Sequence, residues 1–180
     1  LELLSNNFEY SKKSNVLKTN GNVMLTDLKN NITINAEIII YFKDEEKIST
    51  IGKTLIKISD KYTIEGYDLI LLKNKMILSS NKNTIITDKN LNEYKLEKFK
   101  YSINDEILKG ENITVSMNAD ENTNGDNFFI KMGFFNLKEK KFLAKDISAS
   151  LHKNLFGNSE NDPRIIAVSA EGDELLTSFE

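Results

Sequence analysis

The sequence predicts an all-β protein of short strands, arranged as hairpins or as stacked, solenoid-like rungs. Three observations carry this reading. Apolar residues recur with a period of two. Turn-forming clusters recur roughly every 10–14 residues. Helical signals are scarce, while Ile, Thr, Phe, Tyr and Val, which suit a pleated surface, are abundant.

The period is clearest in three segments. Ile32, Ile34, Ala36, Ile38, Ile40 and Phe42 share one face, with Thr33, Asn35 and Glu37 on the other, although Ile39 and Tyr41 break the polar set. Phe99, Tyr101 and Ile103 alternate with Lys98, Lys100, Ser102 and Asn104. Phe128, Ile130, Met132 and Phe134 alternate with Phe129, Lys131, Gly133 and Phe135. Each reads as a half-buried strand. Turn signals separate such runs, among them Asn20-Gly21-Asn22, Lys29-Asn30-Asn31, Lys43-Asp44-Glu45-Glu46, Ser59-Asp60-Lys61, Lys73-Asn74-Lys75, Asn81-Lys82-Asn83 and Lys138-Glu139-Lys140. Lys89–Lys98 reads as a loop entering a strand. Asn154–Arg164 is polar and turn-rich, with the single proline, Pro163, after Asp162.

A degenerate internal repeat runs through the chain. Ile64-Glu65-Gly66-Tyr67-Asp68-Leu69 aligns with Leu108-Lys109-Gly110-Glu111-Asn112-Ile113 and with Phe142-Leu143-Ala144-Lys145-Asp146-Ile147. Ile34-Asn35-Ala36-Glu37-Ile38 is a shorter version. The common form is apolar, any, small, any, acid or Asn, apolar. Gly21-Asn22-Val23-Met24-Leu25 likewise matches Gly52-Lys53-Thr54-Leu55-Ile56. A repeated strand–turn unit implies rungs that stack on their neighbours, with the small residue at a bend or close approach.

Composition narrows the functional classes. The 180 residues suit about one domain and a core that needs no disulfide or structural metal. A net charge of −3 argues against nucleic acid as a partner. With no cysteine and one histidine, His152, thiol chemistry and multi-histidine metal sites are excluded. No apolar run reaches the length of a membrane-spanning helix; the longest is Ile38–Phe42. A chain that starts on Leu1 without a signal-like segment is expected to be a mature or excised piece.

No chemical motif survives inspection. Asp120-Glu121-Asn122-Thr123-Asn124-Gly125 begins like a calcium loop, but the twelfth position is Lys131, so a polar hairpin tip fits better. Glu45-Glu46 and Asp105-Glu106 lie in turn signals and read as solvated charges. His152 sits in an apolar–polar alternation and reads as structural or solvent-facing. Phosphate loops, nucleophile elbows and zinc motifs are missing from the sequence. The chain is therefore expected to be non-enzymatic and to need no cofactor. What remains is an apolar face, which fits either a closed core or an open groove. Large apolar side chains on one face and Lys, Asn, Asp, Ser and Thr on the other favour a folded-over sheet with a groove.

Gly21-Asn22-Val23, Ile34-Asn35-Ala36-Glu37-Ile38 and Tyr62-Thr63-Ile64-Glu65-Gly66-Tyr67-Asp68-Leu69 resemble the OstA-type repeats of lipopolysaccharide-transport proteins. With Phe142–Ile147 and the tail Phe156-Gly157-Asn158 … Asn161-Asp162-Pro163-Arg164, the order looks like the N-terminal periplasmic domain of the LptD family. The resemblance implies an antiparallel β-jellyroll, or β-taco, with residues 1–153 as the jellyroll and 154–180 as final strands and a linker toward an outer-membrane barrel. It implies a periplasmic, outer-membrane-associated carrier that takes lipopolysaccharide from the bridge protein LptA by edge-strand addition and passes it to the barrel and its lipoprotein plug. A free-standing bridge protein of the LptA type and a ligand-free structural β-solenoid remain as alternatives.

One saturated acyl chain of lipid A, left in water, costs on the order of 10 kcal/mol at about 0.8 kcal/mol per CH₂. A carrier must offset this with a continuous apolar lining. Alternation assigns that lining to Val23, Leu25, Ile32, Ile34, Ile38, Ile40, Ile64, Leu69, Leu71, Met76, Leu78, Phe99, Tyr101, Ile103, Val115, Met117, Phe128, Ile130, Met132, Phe134 and Phe142. The partner-binding edge is assigned to Phe8, Tyr10 and Val16.

Overall fold

A computed structural model describes residues 1–117, 126–151, 157, 160, 163–173 and 177–180. The calcium-like loop, His152 and most of the 156–162 tail lie outside the described residues. Among those described, the regular structure is strand throughout. In order the strands are β1 (Glu2–Leu4), β2 (Asn7–Ser11), β3 (Val16–Asp27), β4 (Ile32–Phe42), β5 (Lys47–Ile58), β6 (Tyr62–Tyr67), β7 (Ile70–Leu72) and β8 (Ile77–Ser80). Then follow β9 (Thr84–Asp88), β10 (Glu93–Leu96), β11 (Lys98–Ser102), β12 (Ile107–Ser116), β13 (Asn127–Asn136), β14 (Lys141–Ser150), β15 (Arg164–Gly172) and β16 (Thr177–Phe179). The 89–98 segment is a turn followed by β10 and the start of β11.

All pairings are antiparallel and form one sheet folded over on itself. The long strands β3, β4, β5, β12, β13, β14 and β15 cross the fold line, so each half of such a strand belongs to a different wall. In the middle of the molecule the crossing is made by strand pairs instead: β6 and β7, β9 and β8, β10 and β11. The first wall runs through β6, β9 and β10, which join β5 to β12. The second runs through β7, β8 and β11, which join the same two strands. At strand spacings of about 4.8 Å, a wall of some eleven strands is roughly 50 Å long. β15 and β16 extend this sheet from β14, so residues 164–172 and 177–179 share it.

A flat strand cannot line both walls with one parity, and the repeat marks where parity changes. In β4, Ile32, Ile34 and Ala36 belong to the interior on one side, and Ile39 and Tyr41 on the other. The same two-residue skip separates Gly66 from Leu69, Leu96 from Phe99, Gly110 from Ile113, Ile130 from Gly133, Ala144 from Ile147 and Ala167 from Ala170. The residue just before the second inward position is left-handed in Asp68 (φ 53°), Asn112 (φ 49°) and Asp146 (φ 52°). Asp and Asn tolerate that conformation better than most side chains. Beside β4 the register shifts on both flanks, because Gly21-Asn22 of β3 and Gly52-Lys53 of β5 each oppose Glu37 alone. These are bulges with glycine in the left-handed region (φ 81° and 83°).

The fold line is crowded inside, which explains the small residue of the repeat. A Cβ on Gly133 would lie 2.5 Å from Phe135 Cε2 and 2.8 Å from Ile113 Cδ1. The line also interrupts the backbone ladder, and buried hydroxyls fill the gaps. The Thr50 hydroxyl accepts from the Leu69 N–H (3.0 Å) and from the Thr54 hydroxyl (2.7 Å). The Thr19 hydroxyl donates to the Ile39 carbonyl (3.2 Å), and Ser80 to the Tyr67 carbonyl (2.9 Å). Among the described residues no buried side-chain nitrogen or oxygen lacks a partner.

The parity change predicts opposite outcomes for two neighbouring isoleucines. Ile39→Asp is expected to cost about 3 kcal/mol or more in urea unfolding, because it places a charge in the core, and Ile38→Asp less than about 1 kcal/mol. The reverse order would mean that the strand does not switch faces.

Candidate functional site: the apolar interior

Each wall presents rows of apolar side chains set by cross-strand register. On the first wall one row runs Leu3, Leu25, Ile34, Ile56, Ile64, Ile86, Tyr94, Val115, Phe128, Ala149 and Ile165. On the second the corresponding row runs Tyr10, Leu17, Tyr41, Ile48, Leu71, Leu78, Tyr101, Leu108, Phe135 and Phe142. The two face each other and form a single hydrophobic core. Its centre is dry: Ile34, Ile64 and Ile113 are 0% exposed and Leu78 1%. The groove that the sequence leaves open is therefore closed here, with wall packed against wall.

Contacts across the mouth, opposite the fold line, hold it closed. The Tyr62 ring of the first wall meets Tyr101 of the second edge to face, with centroids 5.8 Å apart. Outside them the Lys61 ammonium pairs with the Glu106 carboxylate. Asp27, on the first wall, lies within the field of Lys73 on the second. Burial opposes its charge, but hydrogen bonds from Asn30 and the lysine outweigh burial and hold the carboxyl below its ordinary range.

The two ends of the interior differ. At the N-terminal end Phe8 and Tyr10 are on the inward face of β2, yet they are 56% and 46% exposed, and the Lys43 ammonium stands 5.3 Å from the Tyr10 ring centre. At the other end the inward positions of β15 are Ile165, Ala167, Ala170 and Gly172, and its two alanines are buried, as are Ala144 and Ala149 of β14. Neither of two surface recesses, of about 630 and 460 Å³, lies between the walls. One follows the outside of the fold line beside Tyr67, Asn83 and Glu97; the other lies near Leu143 and Ser178.

Most of the residues assigned to the lining by alternation do point inward. Val23, Leu25, Ile32, Ile34, Ile64, Leu69, Leu71, Leu78, Phe99, Tyr101, Val115 and Ile130 are buried in the core, as is Met76 at the end of a turn. Ile103, Phe128 and Phe142 are half-buried against it. Five placements are corrected. Ile38 and Ile40 lie on the outer face, because β4 switches parity after Ala36. Met132, 53% exposed, and Phe134, beneath the Lys109 ammonium at 5.2 Å, are outside because β13 switches before Gly133. Met117 lies beyond the end of β12 and is exposed. Val16 is also moved: it pairs with both Ser11 and Phe42, so it lies inside the sheet, while Phe8 and Tyr10 are on the edge strand. Alternation missed Ile39, Ile48, Ile56, Ile86, Leu108, Ile113 and Ile147, all at most 4% exposed. The repeat held the signal, since Ile113 and Ile147 end two of its copies.

This folded-over sheet has a solved counterpart. The fold is that of LptH. That protein is described as the LptA homologous periplasmic component of the conserved lipopolysaccharide transport device from Pseudomonas aeruginosa. The match has a TM-score of 0.54 at 13% identity, covering 61% of this chain and 80% of LptH. No family model and no curated protein sequence matches the chain.

The buried tyrosines supply a test of how tightly the mouth is shut. Burial, with the nearby Glu106 and Asp88 carboxylates, pushes the Tyr62 phenol to about 12; burial and Asp88 do the same for Tyr94. Tyr101 is pushed up as well, by burial and then by Tyr62 and Glu106. A folded-state value above the ordinary 10 leaves stability intact below pH 10 and removes it as pH rises toward 12. Absorbance titration of the protein against Tyr62→Phe is expected to show Tyr62 ionising near pH 12, together with unfolding. Ionisation near pH 10 with the fold intact would show an open mouth.

Proposed function

We propose that the chain is a non-enzymatic carrier of lipopolysaccharide in the periplasm, with the acyl chains held between the two walls. Two things support this reading: a fold shared with a lipopolysaccharide-transport component, and an apolar interior that continues from one end of the sheet to the other. Saturated chains need apolar contact and no hydrogen bonds, which these rows of Ile, Leu, Val and Phe supply. The interior is as apolar as a bilayer, so transfer between them is close to neutral and direction must come from an energy source elsewhere.

The observation that carries the proposal is the N-terminal end. Phe8 and Tyr10 continue the lining beyond the covered core, and β2 leaves its outer edge unpaired among the described residues. A preceding jellyroll of the LptA type, adding a strand there, would cover the two rings and join its interior to this one. In the LptD-type form of the proposal, lipid passes on to an outer-membrane barrel and its lipoprotein plug, with residues 154–180 leading toward it. In the LptA-type form the chain is itself a unit of the bridge.

The packed interior favours a second reading, a structural β-solenoid whose core never opens. Photo-crosslinking separates the two. With benzoylphenylalanine at Phe128 or Phe142 in the interior, the carrier reading expects capture of added lipopolysaccharide, and none at the outward Thr87. Capture at none of the three positions, in protein that keeps its β-rich circular dichroism, would leave the structural reading.

A further inference from the structure

In the middle of the molecule the fold line is crossed by short connections rather than by continuous strands, and a recess opens on its outer side there. It measures about 630 Å³ and is lined by Tyr67 at the end of β6, Asn81, Lys82 and Asn83 between β8 and β9, Glu97 and Lys98 where β10 passes into β11, and Glu111 and Asn112 of β12. That volume falls within the range of roughly 300–1,000 Å³ of pockets that hold small molecules. The connections are tied from inside. The Ser80 hydroxyl donates to the Tyr67 carbonyl (2.9 Å) and accepts from the Lys82 N–H (3.0 Å), and the Thr84 hydroxyl donates to the Lys82 carbonyl (3.0 Å). Ser80 and Thr84 are buried, whereas Tyr67, Asn81, Lys82 and Asn83 are exposed.

Tyr67 departs from the repeat. The residue after the small one is Glu37, Glu111 or Lys145 in the other copies, and aromatic only here. Half of its surface is open, and its hydroxyl makes no hydrogen bond among the described residues. The side-chain amides of Asn81 and Asn83 are likewise unpaired among the described residues, and each offers a donor and an acceptor side by side. On the β10–β12 side of the recess Lys98 pairs with Glu111 (2.8 Å), and the Asn112 amide donates to the Glu97 carboxylate. Each carboxylate keeps a second oxygen as an acceptor. Two lysines balance two glutamates, so the lining as a whole is neutral.

We propose that this recess binds a neutral oligosaccharide, with the C–H face of one pyranose ring against the Tyr67 ring and neighbouring hydroxyls held by Asn81, Asn83 and the remaining oxygens of Glu97 and Glu111. The chemistry of the lining selects this ligand. An anion would meet two carboxylates. A metal ion would meet two ammonium groups, and among the described residues no three His, Asp or Glu side chains gather to hold one. An apolar ligand would strand the free amides. A sugar ring matches both parts of the lining: its C–H face suits the electron-rich face of an aromatic ring, and its edge carries hydroxyls that donate and accept. The recess lies on the fold line, opposite the mouth. It therefore serves a saccharide other than the sugars of a glycolipid whose acyl chains enter at the mouth, and the proposal is independent of whether the interior carries lipid.

Saturation-transfer NMR with chitotetraose and cellotetraose, which carry neither acyl chains nor charge, tests the proposal on the whole chain. At millimolar concentration at least one of the two is expected to receive signal from the protein, and raising the salt concentration is expected to leave binding unchanged. Tyr67→Ala should weaken binding about tenfold, Asn83→Ala about fivefold and Tyr67→Phe less than about twofold. Phe129→Ala, which removes an exposed ring from the outer face of the first wall, should bind as the unaltered chain does. All of these side chains are exposed, so each variant is expected to keep its β-rich circular dichroism. Three results would overturn the proposal: no transfer to either sugar, equal loss in Tyr67→Ala and Phe129→Ala, or binding that falls as salt is added, which would mark an ionic site.

Discussion

A β-strand points its side chains alternately to its two faces, and a single sheet that folds over to enclose a core must interrupt that alternation at the crease, by a skip or by a bulge. This constraint organises the whole molecule. In β4, β12, β13, β14 and β15 two outward positions follow in succession between inward ones, so that Ala36 is followed inside by Ile39, and Gly110 by Ile113; in β3 and β5 a glycine bulge separates Thr19 from Val23 and Thr50 from Thr54 instead. At the β6–β7 corner and in β12 and β14 a left-handed Asp or Asn makes the kink, in β3 and β5 a left-handed Gly, and a small inward side chain such as Gly66, Gly110 or Ala144 stands where the walls meet. The crease also breaks the hydrogen-bond ladder, which Thr19, Thr50, Thr54 and Ser80 repair from inside. The degenerate repeat in the sequence is thus the record of a crease, copied from rung to rung.

The crease makes the two walls parts of one body, and the mouth is where they are joined least. Among the described residues the walls meet there through side chains: the Tyr62–Tyr101 contact, the Lys61–Glu106 pair and the attraction between Asp27 and Lys73. Exposed ion pairs contribute little, typically under about 1 kcal/mol. The main resistance to opening is therefore the apolar contact between the walls, which an acyl chain of similar polarity can replace. The interior also changes along its length, from uncovered aromatic rings at the N-terminal end to buried alanines at the other. That gradient gives the enclosed space a direction that the near-uniform topology lacks.

The strand content was legible in the sequence because alternation and turn spacing are local properties, whereas the antiparallel jellyroll was implied by the resemblance of the repeats. Most inward residues were legible for the same reason. Ile38 and Ile39 show where this stops: in the run Ile38-Ile39-Ile40-Tyr41-Phe42 every position is apolar, so hydropathy carries no parity, and only the bulges in neighbouring strands decide which residues face inward. Met132 and Phe134 fail similarly in β13. Several turns end on left-handed residues that no turn rule singles out, such as Glu46 and Met76, held there by the hairpin they close. The tyrosine contact across the mouth joins residues 39 positions apart in the chain, and only the meeting of the walls brings them together.

In the proposed carrier, the walls form a hinged enclosure that opens at the mouth when an acyl chain enters. Spin labels on Lys57 of the first wall and Lys75 of the second would report the distance across the mouth by pulsed electron resonance, with Lys57 and Lys95, both on the first wall, as the reference pair. Added lipopolysaccharide is expected to lengthen the first distance and leave the second unchanged. Two unchanged distances under conditions where the glycolipid is bound would contradict it, since the ligand would then sit outside an enclosure that stays shut.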